Sequence, residues 1–251
     1  MLPSFRKERC SARVDANPLD GEAWAVLIQE VMQQCVPEDF RPVFESCTQF
    51  FPNAAMVWRQ WVEAEIRANC FDQVEGIFER CLLRCPHLEL WRLYLQYLKD
   101  AKRVPAKELQ AAYELLLEAV GPDVRSAPLW LEYVALLKSA VEPNMVPGSA
   151  AVTAARDAFQ RAILQPVANL EPLWKEYEAW ENAQSGPQAK LVLGEISDRA
   201  LVARRVARER RELIEPLILN QMPHVPKRSD DAQLRGWRKL WEYAAAAHPH
   251  G

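Results

Sequence analysis

Glycine and histidine are scarce in this chain, 8 and 4 among 251 residues, and no run of alternating β-branched residues occurs. Without that alternation, and with Glu, Arg and Lys scattered through the apolar patterning, strands should be rare or absent and the chain all-α. No G-x-G-x-x-G, G-x-x-x-x-G-K-[ST], H-E-x-x-H or G-x-S-x-G is present, which removes the signatures of phosphate cradles, helical zinc sites and nucleophile elbows. The six cysteines (Cys10, Cys35, Cys47, Cys70, Cys81, Cys85) form no C-x-x-C, and only His87 is near Cys81 and Cys85. Buried thiols are therefore expected instead of disulfides or zinc. No window approaches the roughly 18 uncharged apolar residues of a membrane span, and the start M-L-P-S-F-R-K-E-R has no apolar signal core. An intracellular, soluble protein with no membrane partner is expected. The net charge of −3 and pI near 5.9 do not mark the whole chain as a nucleic-acid binder. Its partners should be proteins.

What the chain does have is a repeated unit, clearest from Val57 to Pro86. Trp58, Trp61, Val62 and Glu65 fall at i, i+3, i+4 and i+7, one face of a helix A. Asn69 breaks the pattern, and Val74, Ile77, Phe78, Cys81, Leu82 and Cys85 form a helix B that stops at Pro86. Two antiparallel helices, each apolar on one face, cannot bury those faces alone, so the hairpin needs neighbours of its own kind. Copies follow. Residues 1–19 read as a frayed or short helical lead-in. Repeats lie near 20–52, 53–86, 87–122, 126–166 and 170–215 within a repeat domain over 20–221. A loop follows at 222–231, then a terminal A-type helix and tail at 232–251. Asp20 is placed to cap the first A helix, Pro105 fits the first turn of the third B helix, and 142–148 reads as an exposed loop.

Successive A-helix tryptophans are spaced by 34 (24 to 58), 33 (to 91), 39 (to 130) and 44 (to 174) residues. A period near 34 belongs to helical-hairpin repeats of the tetratricopeptide kind. Here A helices carry W-x-x-[WY], and B helices carry I-F-E-R-C-L or F-Q-R-A-I-L. This resembles the HAT (half-a-TPR) variety. The fold expected is an α-solenoid of about five such repeats plus the first helix of a sixth. The segments N-P-L-D-G-E-A-W, F-F-P-N-A-A-M-V-W-R-Q-W-V-E-A-E and A-R-R-V-A-R-E, with Trp237-Arg238-Lys239-Leu240-Trp241-Glu242, are similar to the suppressor-of-forked family, which includes the scaffold subunit of cleavage stimulation factor. The resemblance covers about residues 15–243. It implies a non-catalytic nuclear scaffold in pre-mRNA cleavage and polyadenylation whose partners are protein subunits of that complex. The family's second HAT subdomain, which mediates homodimerisation, is absent here, so the resemblance leaves dimerisation open. A HAT scaffold of the spliceosome or of ribosome biogenesis, and direct RNA binding, are the alternatives.

No catalytic residue, cofactor, metal or small-molecule substrate is suggested; carboxylate pairs such as Glu63 with Glu65 or Glu176 with Glu178 are ordinary on solvated helix faces. The aromatic stripe of Trp24, Trp58, Trp61, Phe78, Trp91, Tyr94, Tyr113, Trp130, Tyr133, Phe159, Trp174 and Tyr177 reads as repeat core. Arg204, Arg208 and Arg211 share a helix face with Arg205 beside them, a candidate RNA or acidic-partner patch if not a solvated face. Trp237, Trp241 and Tyr243 arrive without a following B helix and are a candidate exposed interface.

Overall fold

A computed structural model describes residues 5–142, 146, 148–219 and 230–247. Among these no strand occurs, and no helix is long and apolar enough to cross a membrane. The expected loops at 142–148 and 222–231 lie mostly outside the described residues. The chain divides into two compact units, Met1–Tyr94 with Leu217–Arg235, and Leu95–Pro216 with Gly236–Gly251.

In the first unit the lead-in is a regular helix, α1 (Phe5–Ala16), which buries Cys10 and Val14 and packs on α2 (Gly21–Gln34). Asp20 caps α2 by accepting the Ala23 N–H at 3.0 Å and is itself held by Arg13 at 2.7 Å. Trp24, Leu27, Ile28 and Val31 face inward, as their spacing requires. A left-handed Cys35 (φ 50°) ends α2, and Pro37 starts α3 (Pro37–Phe50), which buries Phe40, Phe44 and Cys47. The second hairpin is α4 (Ala55–Arg67) and α5 (Phe71–Cys81), separated by the left-handed Asn69 (φ 57°). Two of the A-helix indoles are anchored alike: Trp24 Nε1 donates to the Pro18 carbonyl (2.8 Å) and Trp58 Nε1 to that of Pro52 (2.7 Å), each six residues back. The prolines that punctuate the repeats thus also supply acceptors that buried indoles need. Two residues oppose the helices that contain them: Pro42 inside α3, by about 3 kcal/mol, and Gly76 inside α5, by about 1 kcal/mol. Helix α6 (Leu88–Tyr97) begins in this unit and buries Leu88, Leu90 and Trp91.

In the second unit a π-helical turn, Leu98–Lys102, ends at a left-handed Arg103. It precedes α7 (Ala106–Val120), for which Pro105 is the N-cap residue and lies just outside the first turn. Then come α8 (Ala127–Lys138), α9 (Ala150–Leu164), α10 (Leu170–Ser185), a 3₁₀ turn Gly186–Gln188, α11 (Ala189–Ile214) and α12 (Asp231–Ala247), the last contributing from Gly236 onward. α11 stops two residues before Pro216. Gly121 is required by packing: a Cβ there would lie 2.2 Å from the Leu117 carbonyl oxygen.

All six cysteines are free thiols; four are buried, and Cys35 and Cys70 are half-buried. Burial pushes the Cys47 and Cys81 thiols up to about 12. Alkylation of the native protein at neutral pH should therefore mark Cys35 and Cys70 first, and Cys47 and Cys81 only after denaturant, as read by mass spectrometry. Equal native rates at all four would contradict this packing.

Candidate functional site

Seven residues after the A-helix tryptophan, α4 carries Glu65 and α10 carries Glu181, both wholly buried. A carboxylate in that setting needs a charged partner and filled lone pairs. Arg41, three residues before Phe44 on α3, grips Glu65 through Nε (2.8 Å) and Nη2 (2.7 Å), and Trp61 Nε1 adds a third donor at 3.2 Å. Arg156, three residues before Phe159 on α9, grips Glu181 in the same fashion at 2.9 and 3.0 Å, and the Ser185 hydroxyl donates to the same carboxylate. The corresponding positions after Trp91 and Trp130 are Leu98 and Leu137, and those before Phe78 and Tyr113 are Glu75 and Gln110. Acid and arginine are thus present or absent together.

Burial works to raise the Glu181 carboxyl, but hydrogen bonds from Arg156 and Ser185 outweigh it and hold the group below its ordinary 4.5; Glu114 is held low in the same balance by Arg161 and Tyr133. Both groups favour the folded state above that ordinary value, and their contribution disappears as the pH falls through their lowered values. Stability should stay level from pH 7 to about 5 and then decline, more shallowly in the Arg156→Met/Glu181→Leu double variant. Urea titrations at several pH values measure this, and identical declines in both proteins would refute the assignment.

A second arginine runs along the B helices. Arg80 on α5 binds both Glu45 oxygens (2.8 and 2.9 Å) and lies over Trp58 and Trp61, 5.4 and 5.3 Å from the ring centroids. Arg161 on α9 binds Glu114 (2.9 and 3.0 Å) over Trp130 at 5.6 Å, and Arg204 on α11 lies 5.4 Å over Trp174 and 3.3 Å from Glu171. In these three hairpins a B-helix guanidinium closes the open side of the A-helix indole. The aromatic-x-Arg spacing in Phe78-Glu79-Arg80 and Phe159-Gln160-Arg161 carried that signal.

Of the candidate core residues, Trp24, Trp58, Trp61, Phe78, Trp91, Tyr113, Trp130, Tyr133, Phe159 and Tyr177 are buried, whereas Tyr94 and Trp174 are half-buried. Trp174 is left partly open because α11 turns the small side chains of Ala200, Ala203 and Ala207 inward. The four candidate arginines do not form one cationic surface. Arg204, Arg208 and Arg211 line a cleft of about 440 Å³ that also holds Glu171, Glu212 and Glu215, so acids equal bases there. Arg211 faces Glu215 at 3.8 Å, while Arg205 and Arg208 are exposed without an ion pair among the described residues. On α12, Trp237 and Trp241 are 42% and 78% exposed, but Tyr243 does not join them: it is half-buried and its hydroxyl donates to Glu209 at 2.9 Å.

The carboxylate pairs do not converge either, Glu63 lying with Arg59 (2.9 Å) and Glu176 with Lys138 (2.7 Å). Among the described residues, no group of three or more His, Cys, Asp or Glu side chains could hold a metal ion. The machinery is one of helix-to-helix attachment and exposed grooves.

Residues 6–246 match the family described as Suppressor of forked protein. The chain is 34% identical to cleavage stimulation factor subunit 77 of Arabidopsis thaliana over 80% of its own length and 28% of that protein's. It is 30% identical to protein suppressor of forked of Drosophila melanogaster (95% and 32%), and 31% identical to mRNA 3′-end-processing protein rna14 of Schizosaccharomyces pombe (86% and 30%). It therefore spans about a third or less of the length of these relatives. The crystal structure of CstF-77 matches 78% of this chain and 44% of that one, with a TM-score of 0.58 at 19% identity. That likeness carries the fold, an α-solenoid of HAT hairpins.

Proposed function

The chain belongs to the suppressor of forked family, and from that membership we propose that it is a non-catalytic scaffold of mRNA 3′-end processing, acting in the nucleus and holding protein subunits of a cleavage and polyadenylation complex. The observation that carries this reading is the family match along residues 6–246, together with relatives named for cleavage stimulation and 3′-end processing. The architecture suits the role, since stacked hairpins present long surfaces without needing an enclosed site. We assign the five repeats to α2–α3, α4–α5, α6–α7, α8–α9 and α10–α11, with α12 as the opening helix of a sixth. The arginines of α11, interleaved with Glu171, Glu212 and Glu215, give direct RNA binding less support than protein contact.

Affinity capture of the tagged chain from nuclear extract, followed by mass spectrometry, tests the role. Recovery of cleavage and polyadenylation subunits is expected. Recovery of spliceosomal or ribosome-assembly factors with none of those subunits would overturn it.

A further inference from the structure

We propose that the groove between α3 and α5 receives an extended peptide segment carrying a basic side chain, an inference that rests on the scaffold reading above. The groove encloses about 400 Å³ over a floor of Trp61 and Ile77. Pro42 and Gly76, each of which works against the helix that contains it, both line it and both are exposed. Nothing inside the fold calls for glycine at 76: its φ is not positive, and a Cβ there would meet no atom within 4 Å. A bare backbone at that point instead lets another main chain come close, which any side chain would hold off. Proline opposite it offers a rigid apolar wall with no side-chain freedom to lose.

The polar groups on the walls suit a peptide main chain. Arg41 is taken up by Glu65 and the Cys70 thiol, whereas Arg80 uses Nη1 and Nη2 on Glu45 and keeps Nε as a donor toward a carbonyl oxygen. The exposed Gln73 amide on the same rim can both donate and accept. Charge then selects the side chain. Asp72 is an exposed rim carboxylate with no cation paired to it among the described residues, and a lysine or arginine of the peptide would complete it.

The test is an array of short overlapping peptides tiling the cleavage and polyadenylation subunits, with affinities of the hits measured by fluorescence anisotropy. Hits should contain Lys or Arg, and Gly76→Leu and Asp72→Lys should each weaken them by about tenfold or more. Gly76→Leu should melt no lower than the wild type, and Gly194→Leu, another helical glycine whose Cβ meets nothing, should leave affinity unchanged. If Gly76→Leu fails to fold, the exposed Asp72→Lys decides. Absence of any hit, hits without a basic residue, or unchanged affinity in the deciding variant overturns the proposal. Nuclear capture separates the two readings: full subunit recovery by Gly76→Leu removes the groove and leaves the scaffold role. Peptide binding without capture of any subunit by the wild type does the reverse.

Discussion

Arg156→Ala is expected to lower the unfolding free energy by roughly 3–5 kcal/mol, because it strands Glu181 without a counter-charge in a site with no solvent access. At roughly 2–4 °C per kcal/mol for a chain of this size, the melting temperature should fall by about ten degrees. The loss belongs to the broken pair and not to arginine as such, so Arg156→Met/Glu181→Leu should recover most of it. Arg41→Ala should act in the same direction but less strongly, since the Arg41 side chain is more exposed than that of Arg156 and water can take its place beside Glu65. Thermal and urea unfolding followed by circular dichroism give both numbers. A loss under about 1 kcal/mol for Arg156→Ala would mean that the pair behaves as a surface bridge.

Trp130→Ala should be equally severe, at ~3–5 kcal/mol. Its indole is 1% exposed, donates through Nε1 to the Gly121 carbonyl at 3.2 Å, and is covered by Arg161. Removing it empties a site that the rigid turn at Gly121 cannot collapse to fill. Trp174→Ala should cost clearly less, because that ring is already half-open and roofed by Arg204. Equal losses at the two positions would show that the open face of Trp174 contributes nothing to the difference.

The helices themselves were legible because their stripes are strong: Trp24, Leu27, Ile28 and Val31 can be buried together only on a helix, and Asp20, Asn69 and Pro216 mark ends for local reasons, whereas α5 stops at Cys81 and leaves Leu82 to Cys85 as turns before Pro86. Less legible was α1, since only Cys10 and Val14 are inward and so few apolar residues produce little periodicity. The π turn at Leu98–Lys102 left no trace, because one shifted hydrogen bond disturbs the stripe by less than its own width. Trp174 was misplaced because its burial depends on the size of residues on α11, about 30 positions later. The arginine–glutamate pairs were missed for a different reason: a charge on a helix reads as solvated by default, although Glu65 stood on the apolar stripe itself and had no business there without a partner.

The joint presence or absence of those pairs bears on how such a chain can be edited. A hairpin whose A helix brings a buried glutamate fits only behind a B helix that offers arginine three residues before its aromatic. Moving α10 behind α7 would set Glu181 against Gln110, and moving α8 behind α3 would set Arg41 against Leu137. Repeats that look interchangeable by length and aromatic spacing are therefore keyed, and the order in which they can be spliced, duplicated or deleted is restricted by charge as much as by shape.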